Sequence, residues 1–178
     1  MKRSILLLFV VWAGVLQAQV GTNFPDIDLE RLSDDQKVKF PQVSKGKITL
    51  VGVAYSKKSD ELLKPWFEPV YKTFVQPDKG LFSVEYDVNI YFIGMIKGVA
   101  QVAGEKIEKE MRQGIDKKLQ PYVYLYKGSI STYKDVLKLG QKDLPYFFVL
   151  DEKGKIIYAT SGAYSEEKLE EVIDKMPE

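Results

Sequence analysis

Lys47 to Phe67 reads KITLVGVAYSKKSDELLKPWF, and this stretch decides the class of fold. Its first part, Lys47 to Tyr55, is rich in β-formers and almost continuously apolar through the middle, the composition of a strand covered on both faces. From Asp60 to Val75 the period changes. Leu62, Leu63, Trp66, Phe67, Val70, Tyr71 and Phe74 recur at threes and fours, which predicts an amphipathic helix bent where Pro65 and Pro69 remove backbone donors. A doubly covered strand running straight into a helix belongs at the centre of an α/β sheet.

Working outward, Phe24-Pro25-Asp26-Ile27-Asp28-Leu29 and Val38-Lys39-Phe40-Pro41 alternate apolar with polar residues and predict two edge strands in an N-terminal hairpin. On the other side, Val84 to Ile93 (VEYDVNIYFI) predicts a second core strand. Met95 to Leu119 predicts a long helix: Val99, Ala103, Ile107, Met111, Ile115 and Leu119 fall on every fourth residue, although Gly98, Gly104 and Gly114 weaken it. Tyr122 to Tyr126 alternates tyrosine with Val123 and Leu125, as a half-buried strand does, and its tyrosines are expected to pack under the long helix. Thr132 to Leu139 predicts a short helix ended by Gly140. Tyr146 to Leu150 and Lys155 to Ala159 flank Asp151-Glu152-Lys153-Gly154 as a hairpin, after which Ser165 caps a last helix running to about Met176.

Met1 to Ala18 has the parts of a secretory leader: Lys2 and Arg3, an apolar stretch from Ile5 to Leu16, then Leu16-Gln17-Ala18. That stretch is twelve residues, whereas a helix spanning a bilayer takes about 20. A cleaved signal peptide over residues 1–18 is therefore expected, with one domain over 19–178, a periplasmic or secreted location and no permanent membrane anchor. No cysteine follows the expected cut, so lipoprotein attachment through that residue is excluded.

The whole chain of 178 residues has 26 basic and 25 acidic side chains; without Lys2 and Arg3 it carries a net charge of −1. Nothing in that balance points to nucleic acid. The chain has no cysteine and no histidine. Thiolate or imidazole metal sites and histidine-activated nucleophiles are therefore out of reach, and acid-base work would fall to Asp, Glu, Lys or Tyr. Neither a cofactor nor a metal is expected. Asp34-Asp35 and Glu166-Glu167 lack the spacing of a calcium loop and read as solvated pairs.

Three ordered blocks resemble the thioredoxin-like superfamily, in particular its periplasmic peroxiredoxin-like and cytochrome-maturation members. Phe24 to Leu29 through Lys45-Gly46-Lys47 resembles the hairpin leading into the central strand. Ala54-Tyr55-Ser56-Lys57-Lys58-Ser59 falls where that family carries an aromatic residue and two cysteines. Leu144-Pro145-Tyr146-Phe147-Phe148-Val149-Leu150-Asp151, then Gly154-Lys155-Ile156 and Gly162, resembles its cis-proline strand and hairpin. The resemblance implies a three-layer α/β fold: a central mixed sheet flanked by helices, with an N-terminal hairpin and a helical insertion. Ser56 and Ser59 stand at the cysteine spacing, and serine can neither form a disulfide nor reproduce a low-pKa thiolate. A second resemblance, carried by Lys64-Pro65-Trp66-Phe67-Glu68-Pro69, the long middle helix and the run from Lys134 to Asp151 with Gly162, is to the mitochondrial ATP-synthase assembly-factor family. It implies a scaffold or assembly role and assigns no individual residue.

The candidate site is the Ser56-Lys57-Lys58-Ser59 loop with Tyr55, Pro145 and Tyr146. At a helix N-terminus the two lysines would attract an anion or an acidic peptide; the plainer reading, which the frequency of serine caps favours, is a solvated loop capped by Ser59. Serine as nucleophile would need Lys57 or Lys58 as a desolvated base. The resemblance implies a cis Pro145 shaping a groove for an extended peptide, with Tyr55 and Tyr146 as exposed aromatic surface. The expected function is a non-catalytic, non-redox protein binding an extended or acidic segment of another exported or envelope protein, as assembly factor, adaptor or holdase. Two alternatives stay open: a residual enzyme or binder of an anionic small molecule, and a structural domain of an envelope complex.

Overall fold

The computed structural model describes residues 19–76, 86–97 and 101–176. The leader, Val84, Glu85, Gly98 and Val99 lie outside them. The described strands are β1 (Ile27–Arg31), β2 (Lys37–Phe40), β3 (Ile48–Ala54), β4 (Val88–Lys97), β5 (Val123–Gly128), β6 (Tyr146–Leu150) and β7 (Ile156–Ser161). The described helices are α1 (Lys57–Phe74), α2 (Gln101–Gly114), α3 (Ser131–Val136) and α4 (Glu166–Ile173). One sheet holds all seven strands in the order β2-β1-β5-β4-β3-β6-β7.

The pair β3 and β4 and the pair β4 and β5 run parallel, and the other neighbours are antiparallel. Parallel neighbours need a crossover, which α1 and α2 supply in turn. The middle strand of the seven is β4; β3, expected at the centre, lies beside it between β4 and β6, and its apolar run is explained by cover on both faces. Leu50 and Ala54 pack with Leu63, Trp66, Phe67 and Val70 of α1, Met111 of α2, and Leu169 and Val172 of α4. Val51 and Val53 point the other way, into a second core with Phe24, Ile27, Phe40, Leu137 and Phe148. These are the three expected layers. No helix of the described residues is long and apolar enough to cross a membrane.

Gly52 interrupts this run because a Cβ there would lie 3.0 Å from Leu63, Phe92 and Phe147 alike. At the β6–β7 turn, Gly154 has a φ of +83° and would bring a Cβ within 3.2 Å of Pro41.

Several boundaries differ from the sequence expectation. The second core strand runs on to Lys97, so Met95 and Ile96 are strand residues and the long helix is only Gln101–Gly114. Pairing of Phe92 to Lys97 with Val123 to Gly128 holds this segment in the sheet. The first helix starts at Lys57, the short helix is Ser131–Val136, and the last ends at Ile173. Only β2 of the N-terminal hairpin is an edge strand, since β1 pairs with β5 on its other side. The tyrosines of β5 face away from α2: Tyr124 stacks on Tyr91 at 4.7 Å and Tyr126 meets Tyr133 at 5.0 Å, while Val123 and Leu125 face the helices. Tyr122 lies in a 3-10 turn and packs against Tyr71 on the helical face. Among the described residues the cis peptide bond is at Phe40–Pro41, and Leu144–Pro145 is trans, contrary to the expectation for Pro145.

Candidate functional site

Where β3 gives way to α1, two serines close the loop on itself. Ser56 has extended backbone and is the N-cap of α1; its Oγ accepts the Ser59 N–H at 3.1 Å. Ser59 Oγ accepts the N–H groups of Ser56 at 3.0 Å and Tyr55 at 3.1 Å, completing a reciprocal capping box. The cap is thus Ser56, one turn earlier than expected, because the helix begins at Lys57. Ser56 Oγ donates to the Lys142 carbonyl at 2.6 Å, tying the loop to the segment before Pro145, and Ser59 Oγ donates to the Ser56 carbonyl at 3.0 Å. The two hydroxyl oxygens are 3.2 Å apart. Both are committed to the backbone, and neither is hydrogen-bonded to a lysine side-chain amine that could serve as base.

Lys57 and Lys58 are exposed, and Lys58 lies 3.6 Å from Asp143 in a solvated pair. Such pairs contribute about 0–1 kcal/mol. Tyr55 and Tyr146 are not the exposed aromatic surface expected of them: they are 8% and 3% exposed, with rings 6.5 Å apart. Tyr55 donates to the Leu139 carbonyl at 2.7 Å, and Tyr146 accepts the Gln141 N–H at 2.6 Å. Burial, then the neighbouring Tyr146 and Asp143, push the Tyr55 hydroxyl up to about 12. Pro145 is buried too. This side of the loop is therefore packed shut.

The open side faces α2. A cleft of about 440 Å³ lies at the C-terminal ends of β3 and β4, between the start of α1 and the outer part of α2. Ala54, Gly94, Met95, Ile96, Ile107 and Met111 make its apolar floor and wall. Lys57, Asp60, Glu61, Lys64 and Glu110 make a rim of both signs, within which Lys64 pairs with Asp60 at 3.0 Å. Of the expected site residues, Tyr55, Ser56 and Lys57 line this cleft, whereas Lys58, Ser59, Pro145 and Tyr146 do not. Met95 and Ile96 are hidden from sequence reading because the apolar stripe that starts at Met95 has helical spacing, although both lie in β4. The signal that finds them is topological: open α/β sheets leave a crevice beyond the carboxyl ends of their parallel strands.

Asp34 and Asp35 are paired as well as solvated. Arg31 bonds both carboxylate oxygens of Asp34, at 2.9 and 2.6 Å, and this hydrogen bonding is the main reason its carboxyl falls to about 2. Asp35 meets Arg112, which also holds Glu108 at 2.6 Å, while Lys127 joins Glu108 at 2.7 Å and Glu30 at 2.9 Å. Burial tends to raise the Glu108 carboxyl, but the bonds from Lys127 and Arg112 together hold it below its ordinary value. Glu30, Asp35 and Glu108 lie close enough to share an ion. Arg112 and Lys127 already supply their countercharge.

A mixed sheet with an interior strand feeding a capped helix, helices on both faces and a C-terminal hairpin and helix defines a thioredoxin-like fold. The fold is shared with the C-terminal domain of a protein named as a thiol-disulfide oxidoreductase from Bacteroides thetaiotaomicron, at 16% identity and a TM-score of 0.57 over 89% of this chain and 95% of that one. It is shared likewise with a protein named as the thiol:disulfide interchange protein DsbE from Chlorobium tepidum (13%, 0.55, 88% and 94%) and with an exposed lipoprotein thioredoxin from Streptococcus pneumoniae (13%, 0.53, 85% and 100%). Within this fold class the chain belongs to the ATP10 protein family, whose family model matches residues 8–176. No curated protein matches the chain. With no cysteine, it has no thiol with which to perform disulfide exchange.

Proposed function

We propose that this chain is an exported, non-redox thioredoxin-fold protein that binds an extended segment of a partner protein, as an assembly factor, adaptor or holdase of the envelope. The observation that carries the reading is the cleft beside the Ser56–Ser59 loop, which pairs an apolar floor with a charged rim. Family membership supports the assembly role, and so does the resemblance of Lys64 to Pro69 and of Lys134 to Asp151 to the ATP-synthase assembly factors. The serine pair supports the non-catalytic part. It keeps the loop closed through hydrogen bonds and leaves no free nucleophile. Because the rim carries two lysines and three carboxylates, the occupant is better described as an apolar anchor flanked by mixed charge than as a purely acidic segment.

A photoreactive residue at Lys57 or Glu61 in the exported chain tests this. The expected result is one recurrent protein adduct at both positions, lost when Ile107→Arg fills the cleft in a chain that keeps its circular dichroism. Adducts no stronger than those from exposed Lys153, on the opposite hairpin, would refute it. A thermal shift with anionic metabolites that depends on Lys57, in the absence of any protein adduct, would instead favour the small-molecule reading.

A further inference from the structure

We propose that Gln19 is the first residue of the mature chain and that it cyclises to pyroglutamate, so that a neutral lactam seats the N-terminus against the hairpin at the start of β7. The position of the cut rests on the exported reading; the cyclisation rests on the surroundings of Gln19. That residue is 1% exposed, and both polar atoms of its side-chain amide are buried without a hydrogen-bond partner. Its carbonyl is held twice, by the Thr22 N–H at 3.0 Å and the Thr22 hydroxyl at 2.7 Å. The next residues are laced to the hairpin: Gly21 N–H donates to the Ile156 carbonyl, and Ile156 N–H donates to the Thr22 carbonyl, each at 2.8 Å. The chain is thus pinned from Gln19 onward, one residue after the small side chain of Ala18 that suits a leader peptidase.

Cleavage there would leave a charged ammonium on a residue that is buried in the uncut chain, beside an amide that has no hydrogen-bond partner there. Burying an unpaired charge is among the most unfavourable things a fold can do. Cyclisation removes the charge and the unpaired amide nitrogen, leaving one neutral lactam whose N–H and carbonyl are the only polar groups of the ring. The α-amino nitrogen attacks the side-chain Cδ, the bond from Cδ to the amide nitrogen breaks, and that nitrogen leaves as ammonia with the proton released by the attacking amine. No oxidant, reductant or co-reactant is consumed. The ring uses only atoms of Gln19, so it can close while the chain is still unfolded after export, before burial shields it.

The test is the intact mass and N-terminal peptide of chain recovered after export with its own leader. The expected peptide starts at residue 19, is lighter than the encoded sequence by one ammonia, and resists aminopeptidase. Pyroglutamyl peptidase should remove the ring only from the unfolded chain. Gln19→Ala should be cut at the same place, carry an ordinary amine and melt at a lower temperature. A mature chain beginning at Gln19 with a free amine overturns the cyclisation and leaves the exported reading standing. A retained leader overturns both.

Discussion

Ser59 supplies the acceptor for two backbone N–H groups, those of Tyr55 and Ser56, at a position with no solvent to replace it. Ser59→Ala should therefore destabilise the fold by about 1–3 kcal/mol, the cost of leaving buried donors unpaired. Lys58→Ala, which removes only a solvated pair, should stay within about 0.5 kcal/mol in the same urea titration. Equal effects of the two would show that the loop is not held by the serine pair. Gly52 is the second residue whose identity the packing dictates. Gly52→Ala must push against Leu63, Phe92 and Phe147 together, and a loss of about 1–3 kcal/mol is expected on thermal or urea unfolding. An unchanged midpoint would mean that those side chains have room to move. At this scale the sequence was partly legible. The spacing of Ser56 and Ser59 announces a paired motif, but which serine caps depends on where α1 begins, and that is set by how far β3 pairs with β4 and β6.

The N-terminus of α1 is also the element on which the fold assignment can be tested chemically. Ser56 and Ser59 sit three residues apart with their hydroxyl oxygens 3.2 Å from one another, so a cysteine pair there needs only a small further approach to close. Ser56→Cys with Ser59→Cys should give a disulfide under mild oxidation, scored by thiol counting; two thiols that stay free would contradict this arrangement of the helix start. The elements themselves were read from periodicity, which worked best where one period held alone. β3, β6, β7 and the helix around Trp66 were found because their apolar patterns are unmixed. The junction of β4 with α2 was misplaced for a physical reason. Met95 stands four residues before Val99, in phase with the apolar stripe of the helix, although its backbone pairs with Tyr126 in the sheet. Beyond Gly114 the same stripe continues through Ile115 and Leu119, which are buried in a turn rather than in helix. The cleft went unseen with Met95, since its floor is made where those two periods overlap.

For the molecule as a whole, no disulfide reinforces the two cores, and tyrosine carries much of their aromatic packing. Burial is the leading cause that pushes the hydroxyls of Tyr55, Tyr133 and Tyr158 up to about 12, and it also raises those of Tyr91, Tyr122, Tyr124 and Tyr146. A tyrosine whose folded pKa lies above its unfolded value keeps its proton more tightly in the native state. The stability linked to it is complete below the ordinary value of 10.0 and is lost as pH rises from there towards the folded value. Several such groups acting together predict alkaline unfolding that is cooperative rather than a gradual titration. In a pH series the urea midpoint should hold steady below pH 10 and then fall steeply, with tyrosinate absorbance from the buried set rising together with the loss of far-ultraviolet circular dichroism. Tyr91→Phe, which keeps the ring between Phe40 at 4.6 Å and Tyr124 at 4.7 Å, should make the fall shallower by removing one of the linked protons. Full tyrosinate formation near pH 10 with the dichroism intact would mean that these rings are open to solvent, and the two-core packing that positions the cleft would have to be wrong.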